Sequence, residues 1–124
     1  TTLMDWEVYP PSIYNMIKKY SSYPQIKKII ITENGAAFKD SIDGEIINDI
    51  ARVNYLQRYL NQVLKAKKEG LNIHGYFVWT FTDNFEWAEG YFPRFGLVHI
   101  NFKTLKRTIK ASGKWFADFL SRKN

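Results

Sequence analysis

The sequence predicts an α/β fold with parallel strands, on the basis of two apolar runs and the helical patterns around them. The runs at 28–33 and 71–81 are rich in β-branched and aromatic residues, as expected of strands that are buried on both faces. The order helix, strand, helix, strand, helix indicates a parallel βαβ unit. Two strands alone cannot make such a sheet, so the chain either borrows strands from another polypeptide or is a segment of a larger barrel.

The first predicted helix begins after Pro10-Pro11, because proline is tolerated in a first helical turn, and it ends near Ser21–Ser22. Its apolar residues have the i, i+3, i+4, i+7 spacing of an amphipathic helix: Ile13, Met16, Ile17 and Tyr20. The first strand, 28–33, then ends at Asn34-Gly35, a pair that readily takes positive φ. The stretch 36–48 is predicted to be a long surface loop.

The second predicted helix has Asp49 as its N-cap and stops at Gly70, after a lysine-rich last turn. Its apolar positions are Val53, Leu56, Leu60, Val63 and Leu64. The second strand, 71–81, is followed by a loop without helical periodicity. A short strand at 97–102 and a closing helix at 108–120 complete the predicted order.

The bulk composition limits the size and location of the protein. The 124 residues, 45% of them hydrophobic, suffice for one domain without an internal boundary, but a closed (β/α)₈ barrel has roughly 250. Cysteine is absent, which permits a reducing compartment, and no apolar run approaches the ~20 residues of a membrane-spanning helix. We expect a soluble protein, cytoplasmic rather than secreted, whose first residue lies inside a longer polypeptide.

The basic charge raises the question of an anionic partner such as nucleic acid. Eighteen Lys and Arg residues against 12 Asp and Glu residues give a formal charge of +6. The lysines, however, cluster at the ends of apolar-periodic segments, where cations complement helix C-termini or solvate an outer face. The aromatic-rich stretch 76–96 is net negative, whereas a nucleotide-stacking groove interleaves aromatic residues with cations. We therefore expect no nucleic-acid partner and no membrane partner.

Charged and aromatic residues follow both predicted strands. In parallel α/β folds the functional site lies at the carboxyl ends of the strands, and Glu33 ends the first strand. The end of the second strand and the residues after it include Trp79, Asp83, Glu86 and Trp87. Two indoles beside two carboxylates suit a sugar, whose C–H face packs on an aromatic ring. The alternatives are a Glu33 that caps the next loop and a packed aromatic core, which would leave Glu86 a buried, unpaired charge.

Four ordered segments resemble the C-terminal part of glycoside hydrolase family 1, the β-glucosidases and their relatives. They are ITENG at 31–35, GYFVWTFTDNFEWAEGY at 75–91, RFGLVHINF at 94–102 and KRTIKASGKW at 106–115. The resemblance covers essentially the whole chain. It implies the C-terminal part of a (β/α)₈ TIM barrel, with the strand before Glu33 as the seventh, the strand before Trp79 as the eighth, and their helices.

The resemblance also implies roles for five residues. Glu33 matches the nucleophile of a retaining mechanism, which explains why an apolar strand ends in a carboxylate. Glu86 matches the acceptor of hydrogen bonds from the outer hydroxyls of the sugar, and Trp87 matches an indole N–H donor to the same sugar. Trp79 matches the platform under the sugar ring and precedes a non-proline cis peptide in the family. Phe95 is expected to line the pocket wall.

The implied substrate is a β-linked sugar, an unphosphorylated β-glucoside or β-galactoside. The serine, lysine and tyrosine set with which phospho-glycosidases of the family hold a 6-phosphate is absent between Asn84 and Phe95, and Glu86 would repel a phosphate. The Asn-Glu-Pro motif of the acid/base is also absent, so we expect an incomplete, inactive segment whose partner is the missing N-terminal part of the barrel. No cofactor is implied, and no metal, since His74 and His99 lack ligand-spaced partners.

Two other functions stay open at this point. A non-catalytic carbohydrate-binding module could use Trp79, Glu86 and Trp87 as its sugar platform, which requires the chain to bury its apolar strand edges by itself. One piece of a split or nicked barrel would require a companion polypeptide that carries the Asn-Glu-Pro motif.

Overall fold

The computed structural model describes residues 1–122. The helices are α1 (Pro11–Ser21), α2 (Ile50–Lys68) and α3 (Ala111–Ser121). The strands are β1 (Ile29–Asn34), β2 (Ser41–Asp43), β3 (Ile46–Asn48), β4 (Ile73–Val78), β5 (Val98–Ile100) and β6 (Arg107–Ile109). One 3₁₀ turn spans Trp87–Glu89.

The predicted βαβ unit is formed by β1, α2 and β4. The two strands pair in parallel, with Ile30 opposite Gly75 and Ile31 opposite Tyr76. β4 is shorter than the predicted strand at 71–81, because the chain makes its last backbone bond to β1 at Trp79 and then bonds to another segment. The carbonyl of Thr80 accepts the N–H of Leu97 at 3.0 Å. The carbonyl of Phe81 accepts the N–H of Val98 at 2.9 Å.

The chain also forms two antiparallel strand pairs. β5 confirms the short strand predicted at 97–102, whereas β2 and β3 lie in the predicted loop and β6 overlaps the start of the predicted closing helix. In 36–48, β2 pairs with β3 around a turn that contains Gly44 at φ +56°, so the prediction of a plain surface loop was wrong there. β5 pairs with β6, so the closing helix does not begin at Thr108 as predicted. It begins at Ala111, because the N–H of Lys110 is bonded to the carbonyl of Leu97 at 2.9 Å.

The hydrophobic core lies between the helices and one face of the parallel pair. It contains apolar side chains of α1 and α2, which confirms most of the predicted helical spacing. The prediction was wrong for Met16, Tyr20 and Leu64, which are exposed. Ile17 of α1 and Leu56 of α2 are 1% and 0% exposed. Because side chains alternate along a strand, Ile30 of β1 and Phe77 of β4 point to the opposite face and remain 51% and 61% exposed.

The start of α2 is fastened to the start of α3 by a buried carboxylate. Asp49 occupies the predicted N-cap position, but its side chain makes no capping bond. Instead, one of its oxygens accepts the N–H of Ser112 at 2.8 Å, and the other accepts the hydroxyl of Ser112 and the guanidinium of Arg52. Asp49 therefore joins the starts of two helices through a residue 63 positions away in the sequence.

The apolar face of the parallel pair is exposed to an unusual degree. The chain exposes 8341 Å², whereas a folded protein of this length exposes about 6,900 Å². Both strands also have an unpaired edge, since β1 and β4 form a sheet of two strands in residues 1–122. Within the same residues, no helix is long and apolar enough to cross a membrane.

We predict that the chain by itself binds the dye 8-anilinonaphthalene-1-sulfonate and unfolds without a sharp transition, because Ile30, Phe77 and the free strand edges are uncovered. Dye fluorescence and differential scanning calorimetry measure the two properties. One cooperative transition with the enthalpy of a two-state domain of this length, about 85 kcal/mol near 60 °C, would contradict the prediction.

Candidate active site

All five residues that the sequence singled out line one cavity. The cavity has a volume of about 480 Å³ and opens at the carboxyl ends of β1 and β4. The five are Glu33, Trp79, Glu86, Trp87 and Phe95. Three further residues, Trp6, Asn34 and Gly35, complete the lining. A site at the strand ends is the place where parallel α/β folds bind their ligands.

Glu33 lines the cavity and is exposed, and two tyrosines hydrogen-bond to the two residues that follow it. The next residue, Asn34, accepts the hydroxyl of Tyr76 at 2.6 Å through Oδ1, and its Nδ2 donates to the hydroxyl of Tyr55 at 3.1 Å. The Tyr55 hydroxyl itself donates to the carbonyl of Gly35 at 3.3 Å. Burial raises the pKa of Tyr55 and of Tyr76 well above the ordinary value, so both phenols remain protonated donors at neutral pH.

The floor of the cavity is formed where the end of β1 touches the residue after β4. The N–H of Trp79 donates to the carbonyl of Asn34 at 3.0 Å. The peptide bond between Trp79 and Thr80 is cis, as the sequence resemblance implied. A Cβ atom at Gly35 would lie 1.6 Å from the carbonyl oxygen of Trp79, so only glycine fits beside this indole-bearing residue.

Glu86 and Trp87 belong to a tight turn that faces the cavity. The N–H of Glu86 donates to the carbonyl of Gly90 at 2.7 Å, and the N–H of Gly90 donates to the carbonyl of Trp87 at 3.1 Å. Trp87 has a φ of +46° and is 82% exposed, so its indole is not a core side chain. The carboxylate of Glu86 is half-buried and accepts Nδ2 of Asn84 at 3.4 Å. The turn thus presents a carboxylate and an indole N–H together.

Phe95 and Trp6 form the aromatic wall of the cavity. Phe95 is 1% exposed, and its ring centroid lies 5.9 Å from that of Trp6. The sequence did not single out Trp6, which precedes every strand. A backbone bond of 2.9 Å from Leu3 to Ala37 fixes the N-terminal segment to the loop after β1. Such a contact between distant segments has no local sequence signal.

Asp83 lies elsewhere than the sequence predicted. It was expected beside Glu33, but it is 4% exposed and does not line the cavity. Its carboxylate is instead grouped with Asp40 and His99, and the possible metal-ligand atoms of the three residues lie within 4.8 Å of one another. The expectation that His99 lacks ligand-type partners was therefore wrong, because the fold brings together residues that are distant in the sequence. The ammonium of Lys110 lies 2.8 Å from both carboxylates and already supplies the cation for this group.

Comparisons with known proteins agree on one family. A family model described as "Glycosyl hydrolase family 1" matches residues 1–124. Beta-glucosidase A of Thermotoga maritima is 45% identical over 119 residues, which are 94% of this chain and 26% of that protein. The 6-phospho-beta-galactosidase of Clostridium acetobutylicum is 42% identical over 117 residues, which are 94% of this chain and 25% of that protein.

The solved structures agree with the sequence relatives. The structure of the Thermotoga maritima beta-glucosidase in complex with glucoimidazole has a TM-score of 0.93 and 43% identity, and the match covers 97% of this chain and 28% of that one. This chain therefore spans about a quarter of the length of these relatives. The predicted fold class, part of a (β/α)₈ barrel with its parallel strands and helices, is confirmed.

The close approach at Gly35 can be tested in a full-length protein. We define the completed barrel as the protein in which this chain replaces the matched segment of Thermotoga maritima beta-glucosidase A. Gly35→Ala is expected to prevent soluble expression or to lower the thermal midpoint by more than about 10 °C, because its Cβ overlaps the Trp79 carbonyl.

The matched control is Gly44→Ala. Its Cβ meets no atom within 4 Å and strains only the φ of +56°, so the thermal midpoint should fall by less than about 3 °C. Equal decreases of the thermal midpoint in the two variants would show that the close contact with the Trp79 carbonyl does not determine the cost of Gly35→Ala.

Proposed function

Because the chain belongs to glycosyl hydrolase family 1, we propose that it supplies the nucleophile and the sugar-binding wall of a retaining β-glycosidase. The observation that carries the proposal is the shared cavity, in which Glu33 lies with Trp79, Glu86 and Trp87 at the carboxyl ends of two adjacent parallel strands. The substrate is a terminal β-glucoside or β-galactoside without a phosphate group.

The reaction assigned to Glu33 is a double displacement. The carboxylate attacks the anomeric carbon, the bond to the aglycone oxygen breaks, and a glycosyl-enzyme ester forms. A second carboxyl group about 5 Å away gives its proton to the leaving oxygen and then takes one from the water that hydrolyses the ester. Among the described residues that line the cavity, the other carboxylate is Glu86. Since Glu86 is assigned to the sugar hydroxyls, the acid/base comes from outside this chain.

Binding of the sugar is assigned to the residues after β4. The indole of Trp79 packs under the ring, while Glu86 accepts hydrogen bonds from the outer hydroxyls and the indole N–H of Trp87 donates to one of them. The relatives include both beta-glucosidases and 6-phospho-beta-galactosidases, so membership of the family does not decide whether the sugar carries a phosphate group. The half-buried carboxylate of Glu86 supports an unphosphorylated sugar, because it would repel a phosphate dianion.

The chain by itself is proposed to be inactive, since the acid/base and the rest of the barrel are needed. The large exposed apolar face argues against a self-sufficient carbohydrate-binding module, which would have to cover that face itself. A companion polypeptide that completes the barrel would serve the same chemistry as one continuous chain.

The nucleophile is tested by trapping. After incubation of the completed barrel with 2-deoxy-2-fluoro-β-D-glucosyl fluoride, we expect an intact-mass increase of one fluoroglucosyl group that maps to Glu33. Glu33→Gln should abolish the adduct and lower kcat/KM for 4-nitrophenyl β-D-glucoside by at least about 10⁴-fold.

The control for the trapping experiment is Glu45→Gln. Glu45 is exposed, pairs with Lys106 and lies outside the cavity, so its loss should change neither the adduct nor the rate. An adduct on another carboxylate, or full activity in Glu33→Gln, would refute the assignment of the nucleophile.

The phosphate preference is tested through Glu86. In the completed barrel, Glu86→Gln should lower the ratio of kcat/KM for 4-nitrophenyl β-D-glucoside to that for its 6-phosphate by at least about tenfold, because the repelling charge is removed. Glu89→Gln, an exposed change in the same turn, should leave the ratio unaltered. A parent protein that prefers the 6-phosphate would overturn the proposed substrate.

A further inference from the structure

We propose that Asp83 is a positioning residue that sets selectivity for the outer hydroxyls of the sugar. Its buried carboxylate holds the turn of Glu86 and Trp87 in a fixed place relative to Phe95. The inference rests on the proposed function of the cavity, and it assigns to Asp83 a role that acts through other residues, since Asp83 does not line the cavity itself.

The carboxylate of Asp83 is completely enclosed by donors. Oδ1 accepts the N–H of Gly96 at 2.9 Å and the ammonium of Lys110 at 2.8 Å. Oδ2 accepts Nη1 of Arg94 at 3.1 Å and the N–H of Ile100 at 3.3 Å. The side chain is 0% exposed, so no contact with solvent replaces a lost partner.

These contacts join two segments that both contribute to the cavity. Asp83 lies three residues before Glu86, and two of its donors, Arg94 and Gly96, flank Phe95. The segments also approach closely at the backbone, because a Cβ at Gly96 would lie 2.2 Å from the nitrogen of Asp83. A change in the position of the Asp83 carboxylate would therefore move Glu86 relative to Phe95.

Lys110 extends the same connection to the loop after β1. It is 0% exposed, and its ammonium bridges Asp83 Oδ1 and Asp40 Oδ2 at 2.8 Å each. Asp40 is in turn 3.3 Å from the guanidinium of Arg52. A buried network in which each charge has several partners favours one arrangement of the loops, although it is weak evidence for stability by itself.

The expected consequence is a change in sugar selectivity rather than a uniform loss of activity. Misplacement of a sugar-binding group by about 1 Å can cost 10²-fold in rate. A loosened Glu86 would penalise a glucoside, whose hydroxymethyl group is among the outer groups of the ring. A xyloside lacks that hydroxymethyl group and would lose less.

The experiment uses the completed barrel with Asp83→Asn and two substrates, 4-nitrophenyl β-D-glucoside and β-D-xyloside. We expect kcat/KM to fall at least about tenfold for the glucoside and less than about threefold for the xyloside. The matched control is Asp118→Asn, which removes a carboxylate from an exposed ion pair with Arg122 and should leave both values unchanged. An unchanged ratio of the two values in Asp83→Asn would overturn the proposal.

A second variant separates positioning from folding. In Asp83→Asn, the buried ammonium of Lys110 has lost one of its carboxylate partners. Adding Lys110→Met removes this ammonium, so the thermal midpoint should recover towards that of the parent. The glucoside-to-xyloside ratio should nevertheless stay low. A ratio that recovers together with the thermal midpoint would mean that Asp83 serves folding alone and would overturn the proposal.

The outcomes also separate this inference from the proposed function. A parent completed barrel that is folded but inactive, or activity that survives Glu33→Gln, contradicts the proposed function. Activity that depends on Glu33 together with an unchanged ratio in the Asp83 variants contradicts the positioning role alone.

Discussion

The close approach of β1 and β4 at their carboxyl ends is the contact on which the cavity depends. There the N–H of Trp79 meets the carbonyl of Asn34 at 3.0 Å, and the absence of a side chain at Gly35 gives the Trp79 carbonyl its space. This contact places the residue that ends one strand beside the residue that follows the other. Glu33 and Trp79 line the same cavity because the strands are parallel and adjacent.

Two different kinds of interaction fix the residues around the contact between β1 and β4. On the core side, two neutral hydrogen bonds fix Asn34: its Oδ1 accepts the hydroxyl of Tyr76, and its Nδ2 donates to the hydroxyl of Tyr55. Burial keeps both phenols protonated. On the other side, ion pairs centred on Asp83 and Lys110 fix the loops after the strands. The first set stabilises the backbone at the end of β1, whereas the second joins loops that come from distant parts of the chain.

The sequence predicted the parts of the molecule whose pattern is local. The helical spacing in α1 and α2 was sufficient to find these helices. The carboxylate at the end of an apolar strand made Glu33 a candidate, and the resemblance to a family then suggested its role. Of the three-residue strands, β5 lies within the strand predicted at 97–102, whereas β2, β3 and β6 were missed. Such strands are too short for an alternating pattern, and their partners are set by tertiary packing. The positions of Trp6 and Asp83 were missed for a related reason, since each depends on a contact with a distant segment.

The enclosure of Lys110 makes this amine a natural reporter of loop opening. The other lysines in residues 1–122 are exposed, whereas the Lys110 ammonium is 0% exposed between two carboxylates. An acylating reagent can reach it only when the loops that carry Asp40 and Asp83 separate, and only after it has given up its proton. The rate at which Lys110 is acylated, compared with that of a surface lysine such as Lys106, would therefore measure how often the walls of the cavity come apart.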